Sequence, residues 1–109
     1  MILTTTDGVP GRAIAETLGL VRGSAVRSAH IGRDVMAKLK NLVGGEVQEY
    51  TKLIAEAREQ ALDRMTAEGR ARGADAIVAL RFSSSEVDSG TAEVLVYGTA
   101  VRLARPAPA

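Results

Sequence analysis

The chain has no cysteine, no tryptophan and only three aromatic residues, Tyr50, Phe82 and Tyr97. Without thiols there is no disulfide, no thiolate metal site and no cysteine nucleophile. An excess of charge is also lacking: 14 basic residues stand against 13 acidic ones, a net +1. Electrostatic capture of nucleic acid or of anionic lipid needs a basic excess gathered on one face, so neither partner is expected. No apolar run approaches the length that spans a bilayer. Met1-Ile2-Leu3 passes straight into Thr4-Thr5-Thr6-Asp7, with no basic stretch leading into an apolar one, so no secretory signal is expected and a cytoplasmic protein is. The nucleophile-elbow, zinc-helix, C-x-x-C and aromatic RNA-binding motifs are all missing.

What is present fits one small domain. The 109 residues are 46% hydrophobic and 25% charged, with no room for a second core. Residues 1–104 are expected to form that domain, and Arg105-Pro106-Ala107-Pro108-Ala109 a disordered tail. Residues 2–5 read as a short strand, and Asp7-Gly8-Val9-Pro10-Gly11 as a turn. Residues 12–23 read as a second strand, in which Gly19 and Gly23 signal a bend or a close backbone approach. Ile31, Val35, Leu39 and Leu42 then recur at helical steps, predicting a helix over residues 31–43 that Gly44-Gly45 ends.

The clearest element is a long helix over residues 48–72, with Tyr50, Leu53, Ile54, Ala57, Ala61 and Met65 as its apolar stripe and Leu62 widening it. Glu68 and Arg72 form a favourable i,i+4 pair, and Gly73 stands where a left-handed cap belongs. Gly69, inside the last turns, points to close packing or early fraying. Residues 75–84 and 92–103 read as two antiparallel strands, joined by an exposed polar loop or ragged strand ends over Ser83–Gly90.

The last strand is apolar on both parities. Leu95, Tyr97, Val101 and Leu103 form one face, and Val94, Val96, Gly98 and Ala100 the other. A half-buried antiparallel strand alternates apolar with polar. One face has the long helix to cover it; the other needs the shorter helix or a second subunit. Several Val and Leu side chains left in water would forfeit several kcal/mol at roughly 25 cal/mol per Å². That is of the order of a small domain's whole stability. Self-association is therefore expected.

At this point the chain resembles the YbjQ-like family, small bacterial proteins of unknown function that carry a heavy-metal-binding label. The resemblance runs over residues 1–103. It rests on Thr4-Thr5, Val21 with Gly23, the Asp34 region, Gly44-Gly45 followed by Tyr50, and Arg58 with Ala61. Its most specific stretches are Ala71-Arg72-Gly73-Ala74-Asp75-Ala76-Ile77-Val78 and Gly98-Thr99-Ala100-Val101. It implies an α+β fold like the dodecin subunit: a curved antiparallel sheet packed on one long helix, plus a shorter helix. It also implies a cyclic homo-oligomer, typically a pentamer. It brings no established activity.

The candidate site residues are few. His30 is the single histidine, and Asp34 lies one turn later, a spacing that lets imidazole and carboxylate share a divalent ion. These two are the metal candidates; a solvent-facing pair near a helix start is the plainer reading. No cofactor follows from the residues. Glu46 and Glu49 are acid/base candidates that the helix dipole also explains. Asp75 fits a turn-stabilising carboxylate. Arg22, Arg27 and Arg33 form either an anion-binding belt in a ring or solvated and paired charges. Thr4-Thr5-Thr6 offers hydroxyls without a partner base. Gly44-Gly45 resembles a phosphate cradle but lacks the P-loop lysine and follows a helix.

The reading that follows is a non-enzymatic homo-oligomeric ring that takes a small ligand or a metal ion at its subunit interfaces. The alternatives are a scaffold for another protein, without a small ligand, and an acid/base enzyme built on Asp34, Glu46, Glu49 or Asp75.

Overall fold

The computed structural model describes residues 1–28, 46–88 and 90–106. The expected helix over 31–43, Gly44-Gly45, His30, Asp34 and Arg33 lie outside the described residues, as does the end of the expected tail.

Four strands and one long helix form an α+β unit: β1 (Ile2–Leu3), β2 (Ile14–Ser28), α1 (Glu46–Ala71), β3 (Ala76–Asp88) and β4 (Thr91–Leu103). The strand order is β1-β3-β4-β2. The two long pairings, β2 with β4 and β3 with β4, are antiparallel, while β1 adds a short parallel pair to β3. Both pairings with β4 carry register shifts, in β2 at Ile14/Glu16 and Thr17/Gly19 and in β3 at Val78/Arg81 and Glu86/Asp88. Bulges bend and twist a sheet locally, and these curve this one.

Residues directly opposite in an antiparallel pair share a face. Val21, Gly23 and Ala25 oppose Gly98, Val96 and Val94, and this face takes α1. The core there comprises Val21, Ala25, Ala57, Ala61, Met65, Ile77, Leu80, Val94, Val96 and Ala100. The alanines of the helical stripe let α1 lie close to the sheet. At Gly23 the approach is closest: an added Cβ would run into the Ala61 carbonyl oxygen and the Met65 nitrogen. At Gly69 a Cβ would stand 3.0 Å from Ile77 Cδ1. The bend-or-approach reading of Gly23 and the packing reading of Gly69 both describe what is found.

α1 ends in a Schellman motif. Ala74 N–H donates to Gly69 O at 3.0 Å, Gly73 N–H donates to Arg70 O at 2.9 Å, and Gly73 takes φ +80°. The expected Glu68–Arg72 pair is present at 3.1 Å.

One sequence expectation is narrowed and one is corrected. Of the two readings of Ser83–Gly90, strand ends are found rather than an exposed loop, since β3 runs on to Asp88 and pairs with β4 as far as Thr91. Serine disfavours strands only weakly, and pairing along a neighbour overrides that preference. The second face is also partly covered from within the chain. Ala76, Val78, Val101 and Leu103 form a second buried cluster with Val9 packed on it. The turn that carries Val9 is pinned by Arg12, whose Nε and Nη2 donate to Ala104 O at 3.2 and 3.1 Å. Further along that face, among the described residues, Leu20 is 58% and Val26 55% exposed.

Candidate functional site

The most unusual geometry lies where the N-terminal segment meets the β3 bulge. Val78 opposes Thr99 and Arg81 opposes Tyr97, so β3 carries one residue more than β4 between these pairs. Ala79 absorbs the mismatch at φ +53°, a left-handed conformation that costs an alanine about 1–2 kcal/mol. Opposite it, Gly98 has no room for a side chain: a Cβ would stand 2.7 Å from Ile77 Cγ2 and 3.0 Å from Val78 O. The bulge turns backbone groups away from β4 and onto the N-terminal segment. Ala79 N–H donates to Thr6 O at 2.8 Å and Leu80 N–H to Thr4 O at 3.1 Å. Arg81 Nη1 donates to Thr5 O at 2.9 Å and to Leu80 O at 2.8 Å.

Two of the three threonine hydroxyls are spent on the turn. Thr6 Oγ1 donates to Gly8 O at 2.6 Å, which leaves Thr4 Oγ1 to donate to Thr6 Oγ1 at 2.7 Å. These hydroxyls therefore hold backbone rather than stand ready as nucleophiles. Between this segment, α1 and β3 lies an open groove of about 420 Å³, lined by Leu3, Thr4, Thr5, Leu62, Leu80 and Phe82. Its walls are apolar with hydroxyls along one side, and no acid or base lines it. Such a groove is suited to binding rather than to proton transfer.

A second open groove, of about 560 Å³, follows the flank of α1 between Arg27, Lys52, Ala55, Glu56, Glu59, Gln60 and Asp63. Two cations and three carboxylates line it. Among the described residues, no three His, Cys, Asp or Glu side chains gather as a metal site would need.

The remaining sequence candidates separate. Asp75 Oδ2 accepts the Leu103 N–H at 2.9 Å, so this carboxylate ties the start of β3 to the end of β4. Arg22 is exposed on β2. Arg27 is half-buried, and its Nε is buried without a hydrogen-bond partner. Glu46 and Glu49 lie in the first turn of α1, as the dipole argument requires.

Sequence reasoning missed the arginines bound to main chain. Arg72 Nη1 donates to Leu18 O and Leu20 O at 3.3 and 2.8 Å, and Arg64 Nη1 to Ser24 O at 2.6 Å. These three carbonyls belong to β2, an edge strand, and the helix arginines cap them. The only advance signal was composition, since 11 of the 14 basic residues are arginine.

With this geometry in view, comparison with known proteins is informative. A family model described as "Putative heavy-metal-binding" matches residues 1–104. The chain belongs to the YbjQ-like family. It is 53% identical over 103 residues to a UPF0145 protein of Archaeoglobus fulgidus, covering 94% of this chain and 95% of that one. It is 52% identical over 103 residues to a UPF0145 protein of Vibrio parahaemolyticus, covering 94% and 98%. A crystal structure of a protein of unknown function from Pediococcus pentosaceus, assigned to the DUF74 family, superposes with a TM-score of 0.58. That likeness covers 95% of this chain and 98% of the other at 19% identity, and it shows the shared fold. YbjQ-like relatives at this distance carry no enzymatic description. Among the described residues no helix is long and apolar enough to cross a membrane.

Proposed function

We propose that this YbjQ-like protein is a non-enzymatic, cytoplasmic homo-oligomer that closes into a ring and holds a small ligand at its subunit interfaces. A pentamer is the size the family resemblance implies. One observation carries the reading: among the described residues, apolar side chains on the second face of the sheet stay exposed. Leu20, Val26 and Tyr97 are 39–58% exposed, while Val21, Ala25 and Val96 beside them in the same strands are buried. Apolar side chains left in water along a sheet are what a second copy would cover.

The Leu3–Phe82 groove supports the ligand part of the reading, because it is apolar, open and free of acid/base groups. A metal ion is the weaker branch. His30 and Asp34 are its only candidates, without thiolates to support them. With its near-neutral charge, the ring is expected to engage neither nucleic acid nor membrane. Light scattering at micromolar concentration tests the assembly, and a strictly monomeric species would overturn it. Native mass spectrometry of the untreated protein tests the ligand: a ring with retained non-protein mass supports it, and a bare ring favours a scaffold for another protein. Titration with zinc, copper and nickel, on the protein and on His30→Ala, tests the metal branch.

A further inference from the structure

The register sets a charged row across the second face of the sheet. Tyr97 of β4 lies between Arg22 of β2 and Arg81 of β3, each directly opposite it. Among the described residues neither arginine has a carboxylate partner. Glu93 stands further back on the same face of β4, opposite Val26. We infer that this face receives the outward flank of α1 from the next subunit, so that Asp63 and Glu59 of one copy meet the Arg22–Tyr97–Arg81 row of another. This rests on the self-association reading above and names both surfaces of its interface. The contact covers Leu20, Val26 and Tyr97, the exposed side chains on which that reading stands.

The order of charges selects the partner surface. Along the outward flank of α1, Lys52 comes first and Glu56, Glu59 and Asp63 follow, all of them exposed. Along the sheet face, in the direction of β4, the acid Glu93 comes first and the arginine row follows. The two orders complement each other when the neighbour's helix runs in the direction of β4. The spans also agree. Lys52 to Asp63 is roughly 16 Å at 1.5 Å per helical residue, and Glu93 to Tyr97 is roughly 14 Å at 3.4 Å per strand residue. Ala55 and Ala67, small and exposed on α1, leave room for Val26 and Leu20.

Direction and level follow from the fold. α1 packs on Gly23 through Ala61 and Met65, and Gly23 opposes Val96. Further along α1, Arg72 reaches the carbonyl of Leu20, which opposes Thr99. α1 therefore runs in the direction of β4, with Asp63 close to the level of Val96 and so of the Tyr97 row. Rotation about an axis along the strands changes neither direction nor level. A head-to-tail ring thus brings Asp63 of each copy to the arginine row of the next, and Lys52 to the Glu93 end.

The lack of cysteine makes cross-linking a clean test. Ser24 opposes Leu95 on the open face, whereas Glu59 and Asp63 are exposed on α1, on the other side of the sheet. Sheet and helix separate these positions within one chain, so no disulfide can close inside a subunit. Ser24→Cys is combined with Glu59→Cys or with Asp63→Cys, and each variant is oxidised and run under denaturing conditions. The expected result is a covalent ladder reaching the full subunit number in a double variant, with none of the three single variants cross-linking. Dimers from Ser24→Cys alone would overturn the inference in favour of a two-fold contact between sheets. An oligomer in light scattering that cross-links in no combination would also overturn it, while leaving the ring reading standing. A monomer would remove both. Independently, Asp63→Arg is expected to raise the dissociation constant of the assembly about tenfold, and adding Arg22→Asp to recover most of that loss. Both side chains are exposed, so neither change reaches the core. A double variant as weak as Asp63→Arg alone would overturn the pairing of these two surfaces.

Discussion

On the helix side of the sheet Val21, Val94, Val96 and Ala100 are fully buried, whereas Leu20, Val26 and Tyr97, from the same strands, stand 58, 55 and 39% exposed on the other side. The difference lies in how each face obtains its cover. The helix face is closed by a 26-residue element fitted through small residues: Ala57 and Ala61 on α1 and Gly23 on β2. Among the described residues, the other face is closed near Val101 and Leu103, by a turn held with Arg12.

The comparison breaks most severely at Met65, the largest fully buried side chain among the described residues, on the inner face of α1. Met65→Ala is expected to cost about 3 kcal/mol in urea unfolding, from lost transfer energy and a residual cavity. Leu20→Ser, on the open face, is expected to leave the stability of the dissociated chain within about 0.5 kcal/mol while weakening assembly. If both variants shifted the unfolding midpoint equally, the two faces would not differ as described. Next in size is Gly23→Ala, expected to cost about 2 kcal/mol. Its new Cβ meets backbone atoms of α1, which cannot rotate away as a side chain tip would. A neutral result would mean that the helix can lift from the sheet.

These positions also show what was legible in the sequence. The stripe through Ala57, Ala61 and Met65 has helical period, and the element it predicts over 48–72 is found at Glu46–Ala71. Gly23 and Gly73 were legible because glycine has few other reasons to stand there. The second face was legible as an excess of apolar parity, but not its partial cover. Val9 lies in a polar turn, and nothing in its neighbourhood announces its packing on the cluster of Ala76, Val78, Val101 and Leu103. The arginine caps were hidden for a similar reason. Arg64 and Arg72 bind carbonyls, which every residue has, at separations of 40 and 52–54 residues. The Ala79 bulge carries no glycine or asparagine to betray it, because the constraint comes from Thr4 and Thr6 across space.

Asp75 tests the edge of the second face. Asp75→Ala removes the acceptor of the Leu103 N–H, which is expected to cost about 1 kcal/mol. The loss should appear as faster amide exchange at Leu103 before it appears at Val94 or Val96, because those two are held from the helix side. Equal acceleration at all three would mean that the faces unfold as one unit and that the second cluster has no separate stability.

The smallest expected effect has the opposite sign. Ala79 holds φ +53° because its N–H and that of Leu80 are drawn to Thr6 O and Thr4 O. Glycine enters that region without the Cβ clash but adds freedom to the unfolded chain. Ala79→Gly is therefore expected to stabilise the protein by about 0.5 kcal/mol, the relief of strain slightly exceeding the entropy lost. Ala79→Val has the same unfolded-chain logic reversed and a branched Cβ besides, so it should destabilise by more than Ala79→Gly gains. Paired unfolding curves read both changes. A destabilised Ala79→Gly would mean that the alanine side chain contributes packing that outweighs its backbone strain, and the bulge would then be a packing feature rather than a strained hinge between the N-terminal segment and the free edge of β3.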